Sequence, residues 1–358
     1  NQIKYIKVQV ESFEDIKKIA EINGVKNVDF FQEYSLPTCE YTRENLKVLV
    51  DTVSDASDVS IGIIDGGISD DNPFLKPYII DRKCYVGDAY RNPSHATFIA
   101  STILYGNMLN EIPASTSRKF RFVDIVAIPN GDSRFGPTDT ISEEELMEII
   151  VDAMEEYSAS TKIWNLSLGI ENKVCNGAMS DLGIFLDYVQ DKYKVQIFVS
   201  SGNLNQPPFR EWPPQGNMGD RDRIISPADS VRAITVGAIA LKDSDNSIVK
   251  RDEPAPFSRR GPGANYIVKP DVVDYGGNIT RSSDFTGIGI KGLDNSGNII
   301  ESVGTSYSTP RVVQKFATVY DTMVERDLLL AKAITIHSAR MNFRDSLDRN
   351  PNNIKYYG

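Results

Sequence analysis

The sequence predicts an α/β fold of three layers, with a mostly parallel central sheet between two sets of helices and a small N-terminal βαβ unit in front of it. Three observations carry this. Short apolar runs recur at 59–65 (VSIGIID), 122–128 (FVDIVAI), 163–168 (IWNLSL), 195–200 (VQIFVS) and 233–239 (AITVGAI), each the length of a buried strand. Helix-like segments separate these runs, and such alternation builds a parallel sheet covered on both faces. The first run stops at Asp65 and two glycines, as a buried parallel strand does at its carboxyl end.

From the N-terminus, residues 3–10 (IKYIKVQV) alternate like a strand, 13–22 space their apolar positions like a helix, and 25–32 read as extended. These make the βαβ unit, ending near Pro37-Thr38. The expected division is 1–45 for this unit and 46–358 for the larger domain. Within the latter the clearest helix starts at Ser142, with Glu145 three residues on as a capping box and Leu146, Ile149, Ile150, Ala153 and Met154 on one face. Ligands of such sheets sit beyond the carboxyl ends of the strands, where Asp65, Ser167 and the 200–203 stretch fall. The Pro-rich stretch 206–227 is long for a connection and reads equally as a substrate-facing loop or an insertion.

A chain of 358 residues, 41% hydrophobic and 25% charged, can bury a sizeable core. Its 39 basic and 49 acidic residues leave a net charge of −10, which disfavours nucleic acid as a partner. No stretch approaches the roughly 18 apolar residues of a membrane span, so no membrane partner is expected. The polar start shows no signal segment, which leans toward a cytoplasmic compartment, whereas the absence of an initial Met is expected of a processed or trimmed chain and leaves the compartment open. Cys39, Cys84 and Cys175 are too few and scattered for a disulfide framework or a zinc site and read as free core or surface thiols. The run from Asp243 to Ser247 begins like an EF-hand loop, but Ile248 stands where the turn glycine belongs and Pro254 where the closing glutamate belongs. It reads as a solvated turn. No metal site is predicted, no cofactor is required for chemistry, and structural calcium has no supporting motif.

The two histidines, His95 and His337, bound any histidine-dependent chemistry. His337 lies in LLLAKAITIHSAR, whose helical spacing makes it a packed or partly exposed helix residue. His95 sits in NPSHATFIAS, a polar turn passing into small and apolar residues, which suits a base at a helix start. In VGTSYSTPRVV a serine follows a Gly-Thr turn just before a helix whose first turn tolerates Pro310. A nucleophile there gains exposed N–H groups and the positive end of the helix dipole. SSGN (200–203) follows a buried strand and projects Asn203 over the sheet end. Each feature alone has an ordinary structural explanation: a packed histidine, a Ser/Thr helix cap, a common turn.

Taken in order, the segments IGIIDGG, SHATFIA, NLSLG, SSGN, SPADSVRAITVGA, FSRRGP with KPDVV, GTSYSTP and AITIHSA resemble those of subtilisin-like serine proteases, whose triad runs Asp, His, Ser. The resemblance covers about 57–341 and implies a three-layer subtilisin-like fold and a serine endopeptidase acting on polypeptides through an acyl-enzyme. It implies Ser306 as nucleophile, His95 as base, Asp65 as its partner, and Asn203 with the Ser306 N–H as the oxyanion hole. Ser167, Leu168 and Gly169 would pair with the substrate backbone. The sequence departs from the family at Gly66, where Ser or Thr is usual, at Ala96 for Gly, at Tyr307-Ser308 for Met-Ala, and at Asp274-Tyr275-Gly276 for Pro-Gly. Those departures keep open a catalytically silent peptide-binding or regulatory protein on the same fold. The acid-acting sedolisins share a similar G-T-S-x-S segment, but the SHATFIA match argues against them. The N-terminal unit has three readings: half of a propeptide-like module, a regulatory appendage, or the end of an upstream domain. The oligomeric state is not readable from the sequence.

Overall fold

The computed structural model describes residues 6–25, 28, 32–36, 41–44, 56–113, 118–168, 174–175, 177–215, 218–342 and 353–358. In chain order these form α1 (Phe13–Ala20), β1 (Glu33–Tyr34), β2 (Thr42–Glu44), β3 (Ala56–Asp65), β4 (Ile79–Cys84), α2 (Ser94–Leu109) and β5 (Lys119–Val126). Then come β6 (Ile141–Ser142), α3 (Glu143–Tyr157), β7 (Ile163–Leu166), α4 (Asp181–Tyr193), β8 (Gln196–Ser200) and β9 (Ile234–Ile239). The chain continues through β10 (Val272–Tyr275), β11 (Ile290–Leu293), β12 (Ile299–Ser302), α5 (Thr305–Thr322), α6 (Leu328–Asn342) and α7 (Ile354–Tyr357).

Seven strands make one parallel sheet in the order β10-β9-β8-β7-β3-β5-β4. Its apolar runs are buried on both faces, which explains why they read as nearly continuous. Ile61 and Ile63 of β3 pack with Ile99, Ile103, Val313 and Phe316 from α2 and α5. Ile64, Val123 and Trp164 face the other way, toward Leu146 and Ile150 of α3 and Leu182 and Leu186 of α4. The capping box at Ser142 and Glu145 is present in both directions, and α3 buries the predicted face. The three-layer subtilisin-like α/β architecture is therefore formed.

The N-terminal segment differs from expectation. Its helix α1 forms, capped by Ser12, but none of its residues is buried and Phe13 is 69% exposed. Residues 6–10 carry no strand, while 3–5 and most of 25–32 lie outside the described residues. No βαβ pairing is seen among the described residues. Instead β1 pairs antiparallel with β6, and β2 with β12 in a three-stranded sheet, β11-β12-β2. Both strands thus bond to the large domain.

The stretch 206–227 has neither helix nor strand among its described residues and is held by the last ones described. Trp212 packs edge-on against Tyr356 and Tyr357 of α7, and Arg210 pairs with Asp222 while lying over the Tyr356 ring.

Candidate active site

Asp65 ends β3 with no exposed surface, and His95 is the second residue of α2. The His95 Nδ1 lies 2.8 Å from Asp65 Oδ2 and 3.0 Å from Oδ1. A carboxylate only accepts, so Nδ1 carries the proton and Nε2 presents its lone pair. The backbone N–H of Gly66 donates to Asp65 Oδ1 at 2.7 Å, fixing the carboxylate from the other side. Beneath this loop lies Asp124, the one charge within the apolar run 122–128. Its Oδ2 accepts from the Ile68 N–H at 3.0 Å and from Arg82 Nε at 2.7 Å, while Arg82 also donates to the Ile68 carbonyl. Burial pushes the Asp124 carboxyl up to about 6, against the pull of Arg82 and the Ile68 N–H. Asp124 and Arg82 thereby hold the backbone that leaves Asp65.

Ser306 is the second residue of α5, where its N–H has no intrahelical acceptor. The helix starts two residues earlier than Pro310 suggested, at Thr305, so the proline lies in the second turn and leaves the Ser306 carbonyl without its usual helical donor. Asn203 anchors this start: its Oδ1 accepts from the Thr305 N–H at 2.9 Å and from the Thr305 hydroxyl at 3.0 Å. With the amide oxygen so engaged, the Nδ2 donors face the turn before the serine. Gly304 takes φ +155° there, a backbone that favours glycine, and a Cβ on it would stand 3.4 Å from Asn203 Nδ2. The carbonyl of Asn203 accepts from Arg259 Nε at 2.9 Å, and Arg259 also donates to the carbonyls of Arg221 and Arg223. The Ser306 hydroxyl donates to the Ser167 carbonyl at 3.2 Å. No hydrogen bond joins it to His95 among the described residues, although the neighbouring Tyr307 ring lies 5.9 Å from the imidazole.

Of the predicted strand for substrate, Ser167 and Leu168 are buried at the end of β7, where the Leu168 carbonyl accepts from Ser200. Gly169 lies outside the described residues. His337 is an exposed residue of α6. The 243–246 run is an exposed turn, and no cluster able to hold a metal ion occurs among the described residues. Cys84 is exposed and Cys175 buried, while Cys39 lies outside the described residues. No helix among the described residues is long and apolar enough to cross a membrane.

The sequence matches the family described as Peptidase_S8, Subtilase family, over residues 56–356. The chain belongs to the subtilase family. It is 28% identical over 229 residues to an uncharacterized protein, y4bN, of Sinorhizobium fredii (strain NBRC 101917 / NGR234). The match takes in 55% of this chain and 52% of that protein, so the chain spans about half the length of the relative. Among solved structures it is similar to the protease domain of PatA, with TM-score 0.52 and 15% identity over 85% of this chain and 94% of that one. A psychrophilic protease gives TM-score 0.53 at 17% identity, over 79% and 84%. At these identities the likeness is one of fold.

The departures of this subtilase from the family pattern have local causes. A Cβ on Gly66 would come within 2.4 Å of Leu36 Cδ1 and 2.6 Å of the Asn92 carbonyl. The Ala96 methyl is wholly buried in the core cluster that holds Ile99. Tyr307 fills a buried aromatic site, its ring 4.2 Å from that of Phe98. Asp274 accepts from Arg311 and Lys315 of the serine helix. Sequence reasoning missed Asp124, Arg259 and Leu36. The first two had a visible signal, a lone charge within an apolar run and an arginine in a turn of small residues.

Proposed function

We propose that this subtilase is a serine endopeptidase that cleaves polypeptides through an acyl-enzyme, with Asp65, His95 and Ser306 as its triad. The arrangement supporting this most directly is the buried His95–Asp65 pair beside a serine at a helix start anchored by Asn203. Ser306 Oγ attacks the scissile carbonyl carbon as its proton passes to His95 Nε2, and Asp65 stabilises the imidazolium. The oxyanion takes hydrogen bonds from the Asn203 side-chain amide and the Ser306 N–H. His95 then gives its proton to the leaving amine, and water repeats the sequence on the acyl-enzyme. To begin, Ser306 must exchange its hydrogen bond to the Ser167 carbonyl for one to His95.

A fluorophosphonate probe tests this, since only a serine with an aligned base and an oxyanion hole reacts quickly. The intact chain should be labelled once, at Ser306, and the Ser306→Ala variant should not be labelled. Equal labelling of both would sink the assignment. Labelling of neither would favour the second reading, a silent peptide-binding protein, which draws its support from the Ser306 hydroxyl being bonded to Ser167.

Asn203→Ala should lower kcat by about 10²–10³ with KM nearly unchanged, the size of effect known for the same donor in subtilisin. Because Oδ1 also caps α5, a stability loss of about 1 kcal/mol should accompany it. The decisive quantity is kcat per folded molecule, measured with the unfolding midpoint on one preparation. A loss below about fivefold would remove Asn203 from the oxyanion hole.

A further inference from the structure

Asn203 is held from behind as well as at the helix it caps. Its carbonyl accepts from Arg259 Nε at 2.9 Å, and the same guanidinium donates to the carbonyls of Arg221 and Arg223 at 2.9 and 3.0 Å. Around it, the Leu204 N–H donates to the Phe257 carbonyl and the Arg259 N–H to the Gly202 carbonyl. The place of Asn203 is therefore set by two stretches, 257–260 and 221–224, which are themselves joined. The Arg260 N–H donates to the Asp222 carbonyl at 2.7 Å, and the Ile224 N–H to the Arg260 carbonyl at 2.8 Å.

At this junction the Asp222 side chain is buried, and two arginines share it. Arg260 Nε donates to Oδ2 at 2.9 Å with Nη2 2.8 Å from Oδ1, and Arg210 Nη1 donates to Oδ2 at 3.3 Å. One carboxylate cannot neutralise two guanidiniums, so the group keeps an excess of positive charge. Burial pushes the Arg210 guanidinium down from its ordinary range, against the pull of Asp222. The excess meets an aromatic face. The Tyr356 ring of α7 lies 4.9 Å from Arg210 Cζ and 6.0 Å from Arg260 Cζ, within reach of the attraction between a cation and a ring, which is strongest where water is excluded. Trp212 braces that ring edge-on, and the Gly261 N–H donates to the neighbouring Lys355 carbonyl at 2.8 Å.

We propose that Tyr356 is a positioning residue for the reaction: its ring face holds Arg210 and Arg260 on Asp222, and that cluster aligns, through Arg259, the asparagine that serves the oxyanion. This role rests on reading the site as a peptidase, and adds a requirement on the far side of the oxyanion loop. A transition-state donor must be held to within a fraction of an ångström, so a small slip of the backbone behind Asn203 is felt in the reaction. The requirement is for the face of the ring and not for its bulk. Phenylalanine keeps that face, whereas leucine fills much of the space and offers a cation nothing.

The test is a double-mutant cycle with a second readout that needs no turnover. Tyr356→Leu should lower kcat per folded molecule about tenfold with KM nearly unchanged, a part of the loss that removing the oxyanion donor brings. Tyr356→Phe should stay within about twofold of the intact chain. In the Asn203→Ala background, Tyr356→Leu should change kcat less than about twofold, because the group it aligns is gone. Equal fractional losses in both backgrounds, or equal losses for leucine and phenylalanine, would overturn the proposal. Should thermal melting show Tyr356→Leu unfolded, Arg260→Lys takes its place in the cycle, since it keeps the charge and gives up the paired contact with Asp222. Hydrogen exchange at the Leu204 N–H should be at least about fivefold faster in Tyr356→Leu than in Tyr356→Phe, and equal rates would likewise overturn the proposal. Faster exchange in an intact chain that neither turns over nor takes the probe would remove the peptidase reading and leave the alignment in place. An active, labelled chain with an additive cycle would remove the alignment alone.

Discussion

His95→Ala should reduce kcat on a peptide substrate by a factor on the order of 10⁶, the size of loss known for the corresponding change in subtilisin, while His337→Ala should change it less than about fivefold. The contrast is informative because the chain has only these two histidines. One is buried against Asp65 with its Nδ1 proton committed; the other is exposed on α6. On the proposed triad, removal of His95 would leave the Ser306 proton without an acceptor and the departing amine without a proton donor. The Asp65 carboxylate also loses its partner in a buried place, so the variant should melt earlier. Turnover must therefore be corrected for the folded fraction from a melting curve. Equal losses in two folded variants would show that His337 acts in the reaction.

Arg311→Ala should destabilise the fold by about 3–5 kcal/mol, the cost of leaving a buried carboxylate without its partner. Arg311 and Asp274 are almost wholly buried, with Nε 3.0 Å from Oδ1. Arg311 also donates to Asn107 of α2 at 2.8 Å, so one guanidinium ties together the helices of His95 and Ser306 and the edge strand β10. Burial opposes ionisation of Asp274, but Lys315 and Arg311 hold its carboxyl below the ordinary range. A depressed folded-state value stabilises the protein above the unfolded value of about 3.9, and that contribution is lost as pH falls through the folded value. Lys315→Ala is a useful control. Its side chain is half exposed, so its removal should cost under about 1 kcal/mol. Urea midpoints at neutral pH measure both, and equal costs would show that Arg311 is not the principal partner of Asp274.

Much of the large domain was legible in the sequence because its signals are local. A run such as VSIGIID announces a strand buried on both faces, and Ser142 with Glu145 announces a helix start whatever surrounds it. Asp65, His95, Ser306 and Asn203 were picked out as candidates by their order along the chain, and the structure brings Asp65 to His95 and Asn203 to the start of the Ser306 helix, with the Ser306 hydroxyl on the Ser167 carbonyl. The short strands were not legible. β1 and β2 have two and three residues, and their partners lie more than a hundred residues away, at 141–142 and 299–301. A stretch that short has no periodicity to read, and its pairing is decided by the surface it meets. The same holds for 206–227, whose polar composition hides the fact that Trp212 and Arg210 pack on tyrosines near residue 356. Pro310 misled for a related reason: a proline favours a first turn, but here it stands in the second and leaves the Ser306 carbonyl without its helical donor.

The bare Cα at position 66 also bears on how this sequence can change over generations. A serine at 66 would set a new carbon 2.4 Å from Leu36 Cδ1 and 2.6 Å from the Asn92 backbone oxygen. The first conflict is with the tip of a flexible side chain and can be relieved by a smaller residue at 36. The second is with main chain and needs the turn before His95 to move as well. Serine at 66 should therefore be strongly epistatic: harmful alone, and tolerable only after changes in two segments remote from it in sequence. Lineages that keep a branched aliphatic residue at 36 are expected to keep glycine at 66, so these two positions should covary among close homologues even though thirty residues separate them.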